Sequence, residues 1–315
     1  MHTTPAGATT CSDSMIRNLG TPAGAKPVLA DITVVIPTLG RPLLESCLRW
    51  LADGTHWPSR VIVVDQGRRS EVAAWLEKLQ EFGLDALYLP SSQTGRSAGI
   101  NRGLEQVQTR FVAITDDDCF VAAGWLAKMA NSLRRDPDRI VTGRVELAGN
   151  GEVDFSTVTA RRPKLFTRPQ LKVFPLIGGN VGMDMALVQK IGLFDEHPCL
   201  ASAEDSDYGY RALRLGIPIA YDPDVVVFHY HWRDARQRAA RYADYARSQG
   251  GFYGAHLRHG DTFILMQTAL ALVRSPVRWL RGLATGDAEL AANGHAHTVN
   301  LLPGIIAGWR RKEPA

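Results

Sequence analysis

The chain is short of cysteine and of long hydrophobic runs, and each shortage excludes something. Its four cysteines, at positions 11, 47, 119 and 199, form no CxxC pair and no zinc-like cluster. Such scatter argues against a disulfide framework and for a reducing compartment. The longest apolar runs, 263–273 and 299–309, fall well short of the about 20 residues that a membrane-spanning helix needs. No basic stretch followed by an apolar core opens the sequence, so no secretory signal is expected. Also missing are a GxGxxG after the first predicted strand, a GxxxxGKS/T phosphate loop and a GxSxG elbow. A dinucleotide fingerprint, a P-loop and a serine hydrolase are therefore unsupported.

What is present reads as an ordinary globular chain. The 315 residues are 45% hydrophobic and 22% charged, which excludes collagenous, coiled-coil and disordered classes. A net charge of +4 hides an uneven distribution: from His231 onward, twelve Lys and Arg face six Asp and Glu. An Arg-rich tail beside aromatics suits anionic head groups or phosphates better than nucleic acid, and no nucleic-acid partner is expected.

The most informative stretch is Ile114-Thr115-Asp116-Asp117-Asp118-Cys119, at the end of the apolar run 111–114. Three successive carboxylates repel one another, so a positive charge must sit among them, and a hard divalent cation such as Mg²⁺ or Mn²⁺ is the candidate. Alternation along a strand would place Asp116 and Asp118 on one side and Asp117 on the other. The competing reading is an acidic turn capping a helix that starts near Ala122.

Residues 1–30 are rich in Thr, Ala, Gly, Pro and Ser and are expected to form a mostly disordered leader. Buried strands are predicted at 32–36 and 61–64 and a shorter one at 86–89, with helices between them. Such alternation means βαβ units and a mostly parallel sheet with helices on both faces. Ligands of these sheets bind at the carboxyl ends of the strands, where Pro37-Thr38, Asp65 and the acidic triplet all lie. That convergence favours a site over capping. Further on, residues 149–176 predict a long surface excursion, Gly178-Gly179 allows close backbone approach, and Glu204-Asp205 opens a helix. His229 and His231 stand at another strand end, where imidazole can serve a Mn²⁺-like metal.

The order of these features resembles family 2 glycosyltransferases of the GT-A fold. The matching pieces are Val-Val-Ile-Pro-Thr (34–38), Val-Val-Asp (63–65), Gly-Arg-Ser-Ala-Gly-Ile-Asn-Arg-Gly (95–103), Asp-Asp-Asp (116–118), Gly-Gly-Asn-Val-Gly-Met (178–183), Phe-Asp-Glu (194–196), Glu-Asp-Ser-Asp-Tyr (204–208) and the histidine at 229 or 231. The resemblance implies a GT-A, Rossmann-like catalytic domain over 31–231, its nucleotide half 31–120 and acceptor half 121–231, followed by a helical basic region over 232–315. It implies an inverting, metal-dependent transferase that moves a sugar from a UDP-, GDP- or dTDP-linked donor to a saccharide or lipid-linked hydroxyl. Asp65 would contact the nucleobase, with Pro37 and Thr38 lining its pocket, and Arg96 and Asn101 would lie near the nucleotide. Asp117 would face the sugar or ribose. Asp116 and Asp118 match the metal motif, with His229 (or His231) the third ligand. Asp205 resembles the general base, Glu204 being the alternative, and Gly179 and Asn180 would border the donor sugar. One departure concerns the second strand, where the family often has Asp-Asp-Gly-Ser and this chain has Asp65-Gln66-Gly67-Arg68.

Beyond the matching motifs, Arg233, Arg236, Arg241 and Arg247 interleave with Tyr242, Tyr245, Phe252 and Tyr253 in a helical pattern. Apolar helices around 262–273 and 299–309 carry arginines at their ends, so 232–315 is expected to meet a lipid-linked acceptor or the inner leaflet. With the scattered cysteines and the missing signal, a cytoplasmic location is expected, peripheral on the cytoplasmic face of the inner membrane if this region makes that contact. Two other readings compete: a non-catalytic nucleotide-binding or assembly subunit, and a sugar-nucleotide pyrophosphorylase. The second would need a glycine-rich basic loop after the first strand, where 37–42 offers one Gly and one Arg.

Overall fold

A computed structural model describes residues 15–22, 24–148, 157–171, 175–231 and 235–312. Strand–helix alternation builds the first half: β1 (Val28–Thr38), α1 (Leu43–Ala52), β2 (Trp57–Asp65), α2 (Ser70–Glu81), β3 (Ala86–Pro90), α3 (Arg96–Leu104) and β4 (Phe111–Thr115). Then follow β5 (Cys119–Val121), α4 (Trp125–Arg135), β6 (Ile140–Ala148), β7 (Lys164–Phe166), β8 (Asn180–Asp184), α5 (Met185–Ile191), α6 (Glu204–Arg214) and β9 (Ile219–Tyr230). Three long helices complete the order, α7 (Ala235–Leu257), α8 (Thr262–Thr285) and α9 (Ala288–Arg310).

The strands form one sheet in the order β3-β2-β1-β4-β8-β6-β9-β5, with β7 beside β9. Parallel pairing runs through β3, β2, β1 and β4, as the alternation requires, and recurs between β6 and β9. The other pairings are antiparallel, so the second half of the sheet is mixed. Residue parity divides the core. Val34, Ile36, Val61, Val63 and Ala113 pack toward α1, α2 and α4, whereas Val35, Ile62, Val64, Val112 and Ile114 pack toward α3, α5 and α6. Successive side chains of a strand point to opposite faces, so continuous apolar runs are what a sheet covered on both sides needs.

Two expectations change here. The leader is not loose throughout: Met15 and Leu19 are buried in the first core, and Met15 carbonyl accepts from Trp50 Nε1 at 2.9 Å. The Arg17 backbone N–H donates to Ser46 Oγ at 2.9 Å. Apolar Met15 and Leu19 give that stretch surface to bury; residues 1–14 lie outside the described part. The surface excursion at 149–176 is partly outside it as well, but β7 within it pairs with Ile219–Tyr221.

The C-terminal helices close on one another through glycine. A Cβ on Gly250 of α7 would come 2.2 Å from Leu301 carbonyl of α9, and one on Gly304 would come 2.1 Å from Arg247 carbonyl. Glycine at these crossings lets the backbones touch. A third small core, with Leu200, Ala203, Tyr210, Phe252, Tyr253, Ile264 and Leu301, joins these helices to α6 and the turn before it.

Candidate active site

A cleft of about 900 Å³ opens at the carboxyl ends of β1 and β4 and extends to the C-terminal helices. Pro37, Thr38, Arg41, Gln66, Arg96, the triplet 116–118, Gly178, Gly179, Glu204, Asp205 and His229 line it on the sheet side. On the other side it is bounded by Arg241, Tyr245, Arg278 and His297.

The triplet occupies a turn between β4 and β5, closed by the Cys119 N–H donating to Asp116 carbonyl at 3.1 Å. Strand alternation therefore does not apply, and the three carboxylates point three ways. Asp116 accepts from Arg96 Nε at 2.8 Å. Asp117 accepts from Thr38 Oγ1 at 2.6 Å and from Arg41 Nη1 at 2.7 Å. Asp118 Oδ1 lies 3.5 Å from His229 Nε2. The positive charge that the triplet demands is thus supplied in part by two arginines. Burial, then the neighbouring Asp118, pushes the Asp117 carboxyl up to about 6, against the pull of Arg41 and Thr38. The capping alternative fails, because α4 begins only at Trp125 with Gly124 before it.

The antiparallel register Cys119↔His229 brings a histidine of β9, distant in sequence, beside Asp118. Asp118, Cys119 and His229 each offer a ligand atom, all within 4.8 Å of one another. Burial, then Asp118 and Asp116, pushes the Cys119 thiol well up, and for a hard cation the preferred donors of the three are the carboxylate and the imidazole. Such an oxygen–nitrogen pair fits a Mn²⁺-like or Mg²⁺-like cation. Asp116, expected in the same set, faces Arg96 instead. His231 stands next to His229, with ring centroids 4.7 Å apart, but outside that cluster.

Glu204 and Asp205 begin α6, and Arg96 links Glu204 to Asp116 of the triplet turn. Glu204, 6% exposed, accepts from Arg96 Nη1 at 3.1 Å, and burial pushes its carboxyl up to about 7 against that guanidinium. Glu204 Oε2 and Arg96 Nη2 are buried without a hydrogen-bond partner. Asp205 accepts from the Ser206 N–H at 2.7 Å and the Gly178 N–H at 3.3 Å, and burial raises its carboxyl too. Gly178 and Gly179 are closely approached: a Cβ on the first would meet the Arg96 guanidinium at 2.9 Å, and on the second Cys119 Sγ at 2.8 Å, so a side chain at either would displace a group of the site.

Three expected residues stand elsewhere. Asp65 is fully buried, and its carboxylate accepts from the N–H groups of Gly67, Arg68 and Arg69 and from Tyr88 Oη. It shapes the loop behind the cleft, and Gln66 lines it. Asn101 donates to Phe194 carbonyl and Glu196 Oε1 and accepts from the Phe194 N–H, tying α3 to the Phe-Asp-Glu segment. Asn180 is buried, accepting from Trp125 Nε1 and donating to the carbonyls of Arg144 and Val225. Each has its polar atoms committed within the protein. Arg41 and the helical wall were not picked out as site residues; the signal available for Arg41 was a cation just past the first strand end.

Comparison with known proteins bears on family and fold. Over 293 residues the chain is 28% identical to a pre-mycofactocin glycosyltransferase of Mycobacterium tuberculosis, covering 89% of this chain and 58% of that protein. The chain therefore spans less than two thirds of that relative. To a hyaluronan synthase of Pasteurella multocida it is 22% identical, over 63% of this chain and 24% of that one. Among solved structures, a Pyrobaculum calidifontis mannosyltransferase in complex with GDP-Man and Mn²⁺ superposes with a TM-score of 0.60 at 16% identity, covering 96% and 93% of the two chains. S. aureus TarS in complex with UDP-GlcNAc gives 0.54 at 17% identity, covering 71% and 65%. These structural likenesses are of fold, the GT-A glycosyltransferase fold. The profile of Glycosyl transferase family 2 matches residues 33–192, more than half of the chain, and the chain belongs to that family.

Proposed function

We propose that the protein is an inverting, metal-dependent glycosyltransferase using a nucleoside-diphosphate sugar. The observation that carries this reading is the convergence, in one cleft, of the Asp118–His229 pair and the Glu204–Asp205 pair. Asp118 and His229 would hold a divalent cation, which when bound neutralises charge on the diphosphate leaving group. Arg96 adds a fixed positive charge beside it. Thr38 and Asp117 hold the sugar or ribose end of the donor, and Gly178-Gly179 lets the backbone approach the transferred sugar. Asp205 takes the proton of the acceptor hydroxyl as that oxygen attacks the anomeric carbon and the bond to the diphosphate breaks. One displacement needs one base and no protein nucleophile, so the anomeric carbon inverts. Glu204, held by Arg96, is the alternative base.

The acceptor is a saccharide or lipid-linked hydroxyl, and the C-terminal helices meet the cytoplasmic face of a membrane. The Mycobacterium tuberculosis relative is named for pre-mycofactocin, which makes that molecule an acceptor to try as well. The division into a catalytic domain over 31–231 and a helical region over 232–315 belongs to the same proposal.

The experiment is calorimetric titration with UDP, GDP and dTDP, each with Mn²⁺ and with EDTA, followed by turnover of the matching sugar donors. Metal-dependent binding of one nucleotide and release of its diphosphate are expected, with the opposite anomer in the product. Binding without turnover of any donor would favour the non-catalytic subunit instead.

A further inference from the structure

α8 leaves an apolar stripe facing solvent. Leu265, Leu272, Val273, Val277, Leu280 and Leu283 are 44–64% exposed. At 100° per residue they fall within an arc of about 140°. The residues that pack inward, Ile264, Gln267, Thr268, Ser275 and Gly282, lie on the other side of the helix. Isolated exposed apolar residues need no explanation, whereas a stripe along five turns of one helix marks something that covers it. On α9, Val299, Leu302, Ile306 and Trp309 are exposed in the same manner.

The charges around the stripe select the partner. Residues 262–285 contain no Asp or Glu, and Arg274, Arg278 and Arg281 are all exposed. Helical rotation places Arg274 and Arg281 along one margin of the stripe. The end of α9 adds exposed Arg310 and, just beyond it, exposed Lys312 close in sequence to Trp309. Among the described residues, no helix is long and apolar enough to cross a membrane. A helix that is apolar on one face and cationic at its margin suits the plane of an anionic bilayer surface, with Trp at the head-group level. A second copy of the chain fits less well. Two-fold pairing of α8 would bring its arginines toward one another with no carboxylate on the helix to answer them.

We infer that α8, aided by the end of α9, docks on an anionic membrane surface and holds the cleft at head-group level. The same helix that exposes Val277 and Leu280 lines the cleft with Arg278, which donates to Asn293 Oδ1 at 2.8 Å. A helix with its side chains is about 10–12 Å across, so the cleft lies within one helix diameter of the docked surface. An acceptor hydroxyl carried near a lipid head group would then meet the cleft that Asp205 also lines. This deepens the proposed membrane contact and rests on it only for the acceptor, since docking itself needs neither donor nor turnover.

The test is flotation of the full-length protein with phosphatidylcholine vesicles, with and without phosphatidylglycerol, in the absence of nucleotide. Binding is expected to the phosphatidylglycerol vesicles at low salt and to fall as salt rises. The variant V273E/L280E should partition about tenfold or more weaker, with unchanged circular dichroism and unchanged nucleotide binding. Protein that stays soluble with both vesicles would overturn the inference, as would a stripe variant that floats like the parent. A variant that turns a dimer into a monomer, without any vesicle binding by the parent, would assign the stripe to a second copy. Nucleotide binding in the same samples separates failure of docking from failure of the transferase reading.

Discussion

Glu204 and Asp205 are neighbours in sequence, yet their surroundings prepare them for different work. Asp205 faces the cleft and is held by the backbone N–H groups of Ser206 and Gly178, and among the described residues no arginine hydrogen-bonds it, although the charge of Arg96 is felt there. Glu204 is tied to Arg96. Asp205→Asn is therefore expected to lower turnover by about 10²–10⁴-fold while calorimetric nucleotide binding persists. If Glu204→Gln shows the larger loss, the assignment reverses. Glu204 also carries a stability signature. Its folded-state carboxyl is raised to about 7 by burial, against an ordinary 4.5, so between those pH values the folded state holds a proton that the unfolded state has lost. Its contribution is complete below pH about 4.5 and disappears as pH rises through 7. Denaturant unfolding should show stability falling across that window by up to about 3 kcal/mol, and Glu204→Gln should flatten the fall. At this scale the sequence is only partly legible. Asp118, His229 and Asp205 were readable from motif order, and they reach the cleft. Asp65, Asn101 and Asn180 were equally prominent, but spacing does not reveal whether an amide or carboxylate is already committed to backbone partners. Arg96 was readable near the site; its grip on both Asp116 and Glu204 depends on two distant segments and was not.

Individual elements carry the next level of constraint. β9 delivers His229 opposite Cys119 because β5, only three residues long, pairs antiparallel with its end. His229→Ala should weaken Mn²⁺ binding by more than about tenfold, the lower end of what even outer-sphere changes cost, with no loss of secondary structure. Unaltered Mn²⁺ affinity in calorimetry would remove the histidine from the ligand set. The helices pose a different constraint. On α7, Gly250 and Gly254 lie four residues apart, as do Gly304 and Gly308 on α9, and a Cβ on any of them would come within 2.2 Å of a backbone oxygen of the facing helix or segment. Gly304→Val should cost about 2–4 kcal/mol in denaturant unfolding, because rigid backbone has to move, whereas Ala307→Val on the exposed side should be near neutral. The first four parallel strands were legible because buried β-rich runs and glycine-marked turns fix both element and order. The triplet turn was not. A run of aspartates looks the same whether it extends β4 or bends away, and only the Cys119–Asp116 hydrogen bond decides.

At the scale of the molecule, the C-terminal helices and the sheet are joined by more than their chain connection. His256 Nε2 of α7 lies 2.8 Å from Asp207 Oδ1 of α6, and Arg211 Nε donates to the other oxygen at 2.8 Å. Tyr210 Oη donates to Asp261 Oδ2 at 2.5 Å, and Arg311 pairs with Asp195. Tyr210, Phe252 and Ile264 share one small core across the same boundary. The sequence showed where the family motifs stop, at about residue 231, but motif coverage says nothing of packing, and a part-buried His–Asp contact across 49 residues leaves no local pattern. Burial alone would raise Asp207, yet His256 and Arg211 outweigh it and hold the carboxyl below its ordinary range. A lowered carboxyl contributes stability above pH about 4 that is lost as pH falls through the folded-state value. Asp207→Asn is therefore expected to destabilise the protein by about 3 kcal/mol at neutral pH, and the gap to the parent should narrow below pH 4. The same contacts predict one cooperative unit. In native-state hydrogen exchange, amides of β1 and of α7 should lose protection at the same denaturant concentration, and Asp207→Asn should lower both together. Protection of β1 that survives after α7 has opened would show that 232–315 is an independent layer, and its wall of the cleft would then be a movable one.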